Sequence, residues 1–105
     1  MSKLNMLVEI IQTIKENFNL DATDLHILSI VGLAEEEGRE VRVTDITRMQ
    51  DIASPATLHY RVTKDLVDRH MLVLIPSTED ARVKLVKPGK KFKTLVNFLE
   101  KKFWS

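Results

Sequence analysis

Ser54-Pro55 is where the local geometry of this chain is most tightly constrained. A serine hydroxyl accepts from the free N–H groups of a first helical turn. Proline fits the first helical position because its φ is already helical and its missing N–H would be unsatisfied there anyway. The pair therefore starts a helix and forbids one from running through it. Stepping at about 100° per residue, Leu58, Val62, Leu66 and Arg69 gather on one side, with Ala56, Thr57, Tyr60, Lys64 and Val67 opposite. The first set packs the helix down, whereas the second is small, hydroxyl-bearing, aromatic and cationic. Just upstream, Val41-Arg42-Val43 alternates like a very short strand. Thr44 then caps a short helix starting at Asp45, Ile46 and Met49 face inward, and Ile52 packs in the break. Over 41–69 the pattern is helix, turn, longer capped helix.

The flanking segments supply the rest of a fold. Leu4, Leu7, Ile11, Ile14 and Phe18 recur at helical spacing and make a single stripe. Asn17-Phe18-Asn19 interrupts it, and Asp21 or Thr23 caps a second helix over about 24–37, whose Leu25, Leu28, Ile30, Val31 and Leu33 form a broad face suited to a central position. Glu35-Glu36-Glu37 ends that helix against its own macrodipole, and Gly38 supplies the positive φ of a cheap stop. The three acids could be read as metal ligands, but a solvated helix end accounts for them. After the capped helix, Leu72-Val73-Leu74-Ile75 and Val83-Lys84-Leu85-Val86 are two β-prone runs joined by a polar tip at 76–82. Lys87-Pro88-Gly89 breaks the second run, Pro88 can open a last helix, and Phe92, Leu95, Val96, Leu99 and Phe103 form its stripe opposite a row of lysines. A helix-turn-helix followed by a β wing is the order of a winged helix: mainly α with a small hairpin.

Composition limits what such a chain does. With 105 residues, 44% hydrophobic and 30% charged, it is expected to form a single domain, 1–105, around one core. The absence of cysteine removes disulfides and thiolate chemistry and suits a reducing cytoplasm, and the interrupted N-terminal stripe is neither a leader nor a membrane span. The net charge of +1 hides a polarity, −5 over residues 1–40 and +6 over 41–105, which places the basic residues with the helix-turn-helix and wing. His26, His59 and His70 lack metal-ligand spacing, no glycine-rich phosphate loop is present, and no nucleophile has the context of a catalytic site. Neither an enzyme nor a metal or cofactor is implied.

The run 43–89 resembles the MarR family of winged-helix regulators. SPATLHYRV is similar to the opening of the family's recognition helix, DLVDRHMLVLIP to its end and the first wing strand, and TEDARVKLVKPGKK to the wing and its exit. Two departures stand out: His70 occupies the place of the usual glycine between recognition helix and wing, and the helix is one residue longer than the usual pattern. The chain is also shorter than typical members, with one helix after the wing. The resemblance implies a homodimeric, sequence-specific transcriptional regulator whose helix 54–69 enters the major groove. It also implies that Arg82 in the wing reaches a minor groove or its phosphates, oriented by Asp80.

Taken together, the expected DNA face comprises Ser54, Ala56, Thr57, Tyr60, Arg61, Lys64, Arg82 and Lys84, with Arg42 and Arg48 as further phosphate contacts. Tyr60 is the sharpest of these, because an aromatic on the polar face of a capped helix has no core to fill. Leu4, Leu7, Ile11, Ile14, Phe92, Leu95, Leu99, Phe103 and Trp104 exceed what one small wing can cover and are expected to build a two-fold dimer. The competing expectation for that surface is packing of the last helix across the first. The competing function is a winged-helix module that binds protein rather than DNA. Whether a small-molecule effector occupies the cleft between terminal helices and winged region is left open by the sequence.

Overall fold

The computed structural model describes residues 2–104; Met1 and Ser105 lie outside the described residues. Helix α1 (Ser2–Phe18) ends at Asn19, whose φ of 53° reverses the chain. Helix α2 (Ala22–Glu36) starts from Asp21, whose carboxylate accepts from the Asp24 N–H while the Asp24 carboxylate accepts from the Asp21 N–H, a reciprocal capping box. Asp21, rather than Thr23, is thus the cap. Gly38 closes this helix at φ 68°. The acids near its end find cations: Glu35 lies 3.6 Å from Lys87, and Glu37 lies 2.6 Å from Arg39.

Helix α3 (Val43–Thr47) begins two residues before the expected start, so Thr44 lies inside it. The Arg42 N–H donates to the Asp45 carboxylate at 2.9 Å, so the start of α3 is held by Asp45 reaching back and not by a Thr44 cap. The expected strand at 41–43 shrinks to a single bridge between Arg42 and Leu85, because these residues must turn at once into α3. Helix α4 (Pro55–Tyr60) opens from Ser54, whose hydroxyl accepts the Thr57 N–H at 3.2 Å. It runs into a π turn (Arg61–Asp65), where the Leu66 N–H reaches back to the Arg61 carbonyl, and finishes as α5 (Leu66–Asp68). Strands β1 (Leu72–Pro76) and β2 (Lys84–Pro88) pair antiparallel with Leu72 opposite Pro88 and Pro76 opposite Lys84. Helix α6 (Lys90–Phe103) starts from Gly89, so Pro88 ends a strand instead of opening the helix.

The π turn explains the extra residue. Leu58, Val62 and Leu66 are spaced by four, and four α-helical steps overshoot a full turn by roughly 40°. A wider i→i+5 turn absorbs that drift and keeps all three on one line. Each is fully buried. The same change of phase carries Val67, expected on the outer side, into contact with the core.

The core joins α2 (Ile27, Leu28, Val31, Ala34) to Ile46, the composite helix and the sheet (Leu72, Val86). Ile14 and Leu95 belong to it, which corrects the expectation that they face a partner; Phe92 and Leu99 pack against it. Phe92 docks on Gly32 in mid-α2, where an added Cβ would lie 2.8 Å from its ring tip. Phe98 meets Phe18 edge-on at 5.4 Å, so α6 does cross α1 near the end of that helix. The N-terminal part of α1 remains uncovered: Leu4, Leu7 and Ile11 are about half exposed, as is Val8, and Trp104 is exposed at the other terminus.

Candidate nucleic-acid interface

The outer side of the composite helix keeps most of its expected composition. Tyr60 is 60% exposed, and Ser54, Ala56 and Lys64 are exposed. The Ser54 and Thr57 hydroxyls lie 2.9 Å apart and stiffen the first turn. Lys64 meets Asp68 at 3.2 Å, an open i,i+4 pair that costs little to exchange for another anion.

Arg61 is placed differently. Its Nη1 lies 2.6 Å from Asp21 Oδ2 and 3.0 Å from Asp24 Oδ1, so this arginine is turned from the outer side toward the start of α2. Arg69 completes the arrangement: it donates to the Phe18 and Asn19 carbonyls, the latter at 2.8 Å, and pairs with Asp65 at 3.5 Å. Asp24, only 3% exposed, sits between the two arginines. Burial of a carboxylate is expensive unless it is paired and hydrogen-bonded, and here both conditions hold. The Arg61 hydrogen bond holds the Asp21 carboxyl below the usual aspartate value, and the Asp21 carboxylate in turn raises the Arg61 guanidinium. The sequence signal for this network was present: an arginine in phase with Leu58, Val62 and Leu66 requires inward carboxylates, and the Asp-x-x-Asp at a helix start supplies them. A small cleft beside the network is lined by Ile11, Lys15, Leu25 and Tyr60.

At the wing, Arg82 is 91% exposed, and its guanidinium is held by both oxygens of Asp80, each at 3.2 Å. The Arg82 N–H also donates to Asp80, and the paired arginine lowers the Asp80 carboxyl. The pairing fixes where Arg82 points without covering it. Lys84 is exposed and donates to the Ala81 carbonyl at 3.2 Å. Arg82 and Lys84 share one cleft with Arg42 and Thr44 ahead of and within α3, and with His59 and Thr63 on the composite helix. The wing therefore faces the His59 and Thr63 edge of the composite helix across one cleft.

The junction between them is compact. His70 stands at φ 61°, the left-handed conformation for which glycine is the inexpensive choice, so a histidine here holds a backbone shape that glycine adopts more cheaply. Gly89 passes so close to the His70 carbonyl that a Cβ would collide with it, and the Lys91 N–H donates to that carbonyl at 2.8 Å. Among the described residues no group of histidine, aspartate and glutamate side chains is arranged to hold a metal, and no helix is long and apolar enough to cross a membrane.

No sequence-family model and no curated protein matches this chain, whereas solved structures do. A mutant of S. aureus MepR superposes with a TM-score of 0.71 at 16% identity, covering 95% of this chain and 69% of its own. The adhesin competence repressor AdcR from Streptococcus pyogenes aligns at 26% identity with a TM-score of 0.54, over 96% of this chain and 81% of its own. The heme sensor protein PefR from Streptococcus agalactiae, solved in complex with heme, gives 0.57 at 17% identity, over 93% and 71% respectively.

Proposed function

We propose that this chain, a winged-helix protein of the MarR family, regulates transcription as a homodimer that reads a pseudo-palindromic DNA site. The composite helix enters the major groove, presenting Ala56, Thr57, Tyr60 and Lys64 to base edges and phosphates, and Arg82 reaches the adjacent minor groove or its backbone. The observation that carries this reading is the wing: a cation held by Asp80 yet left almost wholly in solvent, sharing a cleft with the edge of the capped helix. An arginine fixed in place by its own carboxylate reaches a phosphate or a narrow groove with little further loss of freedom.

The dimer rests on what the fold leaves uncovered. Leu4, Leu7 and Ile11 on α1 are about half exposed, and Trp104 at the far terminus meets Phe103 edge-on yet stays exposed, so together they leave apolar surface open to a partner. Pairing two copies through these helices sets the recognition helices about 34–36 Å apart, one turn of DNA. Arg61 contributes by holding the composite helix to α2 rather than by contacting a base.

Binding to a random-sequence duplex across a potassium chloride series tests the reading. The expected result is micromolar or tighter retention at low salt and a steep linear fall of log K with log salt. A chain that never binds duplex at low salt, while its exposed α1 stripe captures protein, would instead fit a winged-helix interaction module.

A further inference from the structure

The cleft between wing and recognition helix gathers cations that have so far been considered only one by one. Arg42, Arg82 and Lys84 contribute three permanent cations and no carboxylate lines it, while Val43, Leu74 and Val83 form its apolar part. Several cations elsewhere are differently engaged: Arg39, Arg61, Lys64, Arg69 and Lys87 each face an acid. The Arg42 guanidinium has no ion pair among the described residues, although its backbone N–H is held by Asp45. Two carboxylates close in sequence are already committed, Asp45 to the Arg42 backbone and Asp80 to Arg82, and Glu40, two residues before Arg42, does not line the cleft.

We propose that this cleft is a phosphate site, seating one phosphodiester of the duplex backbone. The inference rests on the DNA-binding reading and adds to it. A helix in the major groove and a wing on the neighbouring minor groove straddle the sugar–phosphate strand that separates the two grooves, and that strand crosses whatever lies between helix and wing. In this protein that place is the cleft. Its free donors suit a phosphate: the Arg42 fork, the Lys84 ammonium with one of its three protons engaged by the Ala81 carbonyl, the Thr44 hydroxyl and the His59 ring. Thr47 and Thr63 are excluded as donors, since their hydroxyls already serve the Thr44 and His59 carbonyls. Arg42 and Lys84 are anchored on adjacent backbone, because Arg42 bridges to Leu85, the residue after Lys84. The two cations therefore move as one clamp, separate from the minor-groove role of Arg82.

The test measures binding of a fluorescent random-sequence duplex by the full chain, with salt varied, for the wild type, Arg42→Gln, Arg42→Lys and Thr44→Val. Arg42→Gln is expected to weaken binding roughly tenfold at low salt and Thr44→Val less. Arg42→Gln also reduces the slope of log K against log salt by about 0.9, one phosphate contact, and Arg42→Lys restores that slope. Thermal unfolding of each variant near the wild-type midpoint excludes misfolding as the cause. Replacing chloride with millimolar inorganic phosphate at constant ionic strength separates the sources: inhibition seen in wild type and lost in Arg42→Gln marks free phosphate as a second ligand of the same site. Absence of inhibition leaves the duplex backbone as its sole source. If the wild type binds with a steep slope and Arg42→Gln matches it in slope and affinity, the phosphate site is overturned and the DNA-binding reading stands. If the wild type does not bind duplex at all, both fall.

Discussion

Arg61, on the helix opened by Ser54-Pro55, holds the buried Asp24 carboxylate at 3.0 Å, and this contact ties that helix to the start of α2. Removing the carboxylate leaves Arg61 with Asp21 and Arg69 with Asp65, but takes away the buried acid that joins the two arginines. Asp24→Ala is expected to destabilise the fold by about 3 kcal/mol, the low end for breaking a buried pair because both arginines keep about a quarter of their side-chain surface in water. Urea unfolding measures it, and a loss below about 1 kcal/mol would mean that the network is only surface decoration.

Asp21 offers a pH readout of the same network. Its folded-state pKa is depressed, chiefly by the Arg61 hydrogen bond, so its contribution to stability is fully present above the ordinary aspartate value. That contribution is lost as pH falls below the ordinary value toward the depressed one. Asp21→Asn keeps a good helix cap and removes the titration. The unfolding midpoint of this variant should fall less steeply than that of wild type below about pH 4; identical acid limbs would assign the acid sensitivity elsewhere.

His70 pays a conformational penalty at φ 61°. His70→Gly removes the side-chain strain and adds freedom to the unfolded chain, and the balance favours the folded state by about 0.5–1 kcal/mol. A raised thermal midpoint confirms it. A lowered one would show that the exposed imidazole makes a compensating contact.

The π turn predicts an unusual tolerance. Deleting Thr63 shifts Leu66 to the place of residue 65 and converts the inward spacing from four-four to four-three, the spacing of a regular α-helix. The shortened chain should unfold cooperatively within about 1 kcal/mol of wild type, with helical circular dichroism retained. Non-cooperative unfolding would show that the wide turn is needed to seat Leu66.

Arg82→Ala separates binding from folding. The side chain is almost fully exposed and its ion pair with Asp80 adds little to stability, so thermal unfolding should be unchanged. Duplex affinity should drop roughly tenfold. Parallel losses of both would make Arg82 a structural residue.

Much of the fold was legible in local sequence. Ser54-Pro55, Gly38 and the two β-prone runs act through short-range geometry, and the structure places each where the pattern does. The wing pairing of Asp80 with Arg82 was likewise anticipated from the resemblance. What escaped was determined across long separations. Arg61 lies forty residues from Asp21 and was read by its angular position alone, which does not tell a side facing DNA from one facing a capping carboxylate. Ile14 and Leu95 were assigned to a partner because a stripe reports that a residue is apolar, not which surface covers it. The π turn registered only as one residue too many, since a 100° step cannot show where a helix widens.

The grip of Arg69 on the Phe18 and Asn19 carbonyls makes α1 a lever. Seventeen helical residues span about 25 Å, fastened at one end to the helix that would read DNA and bare of apolar cover toward the other. A tilt of about 10° at the root moves the tip by roughly 4 Å over that length. Whatever seats on Leu4 and Leu7 is thus felt at long range where Arg69 fastens the root of α1, and the stiffness of one guanidinium clasp sets how much of that motion reaches the helix opened by Ser54-Pro55.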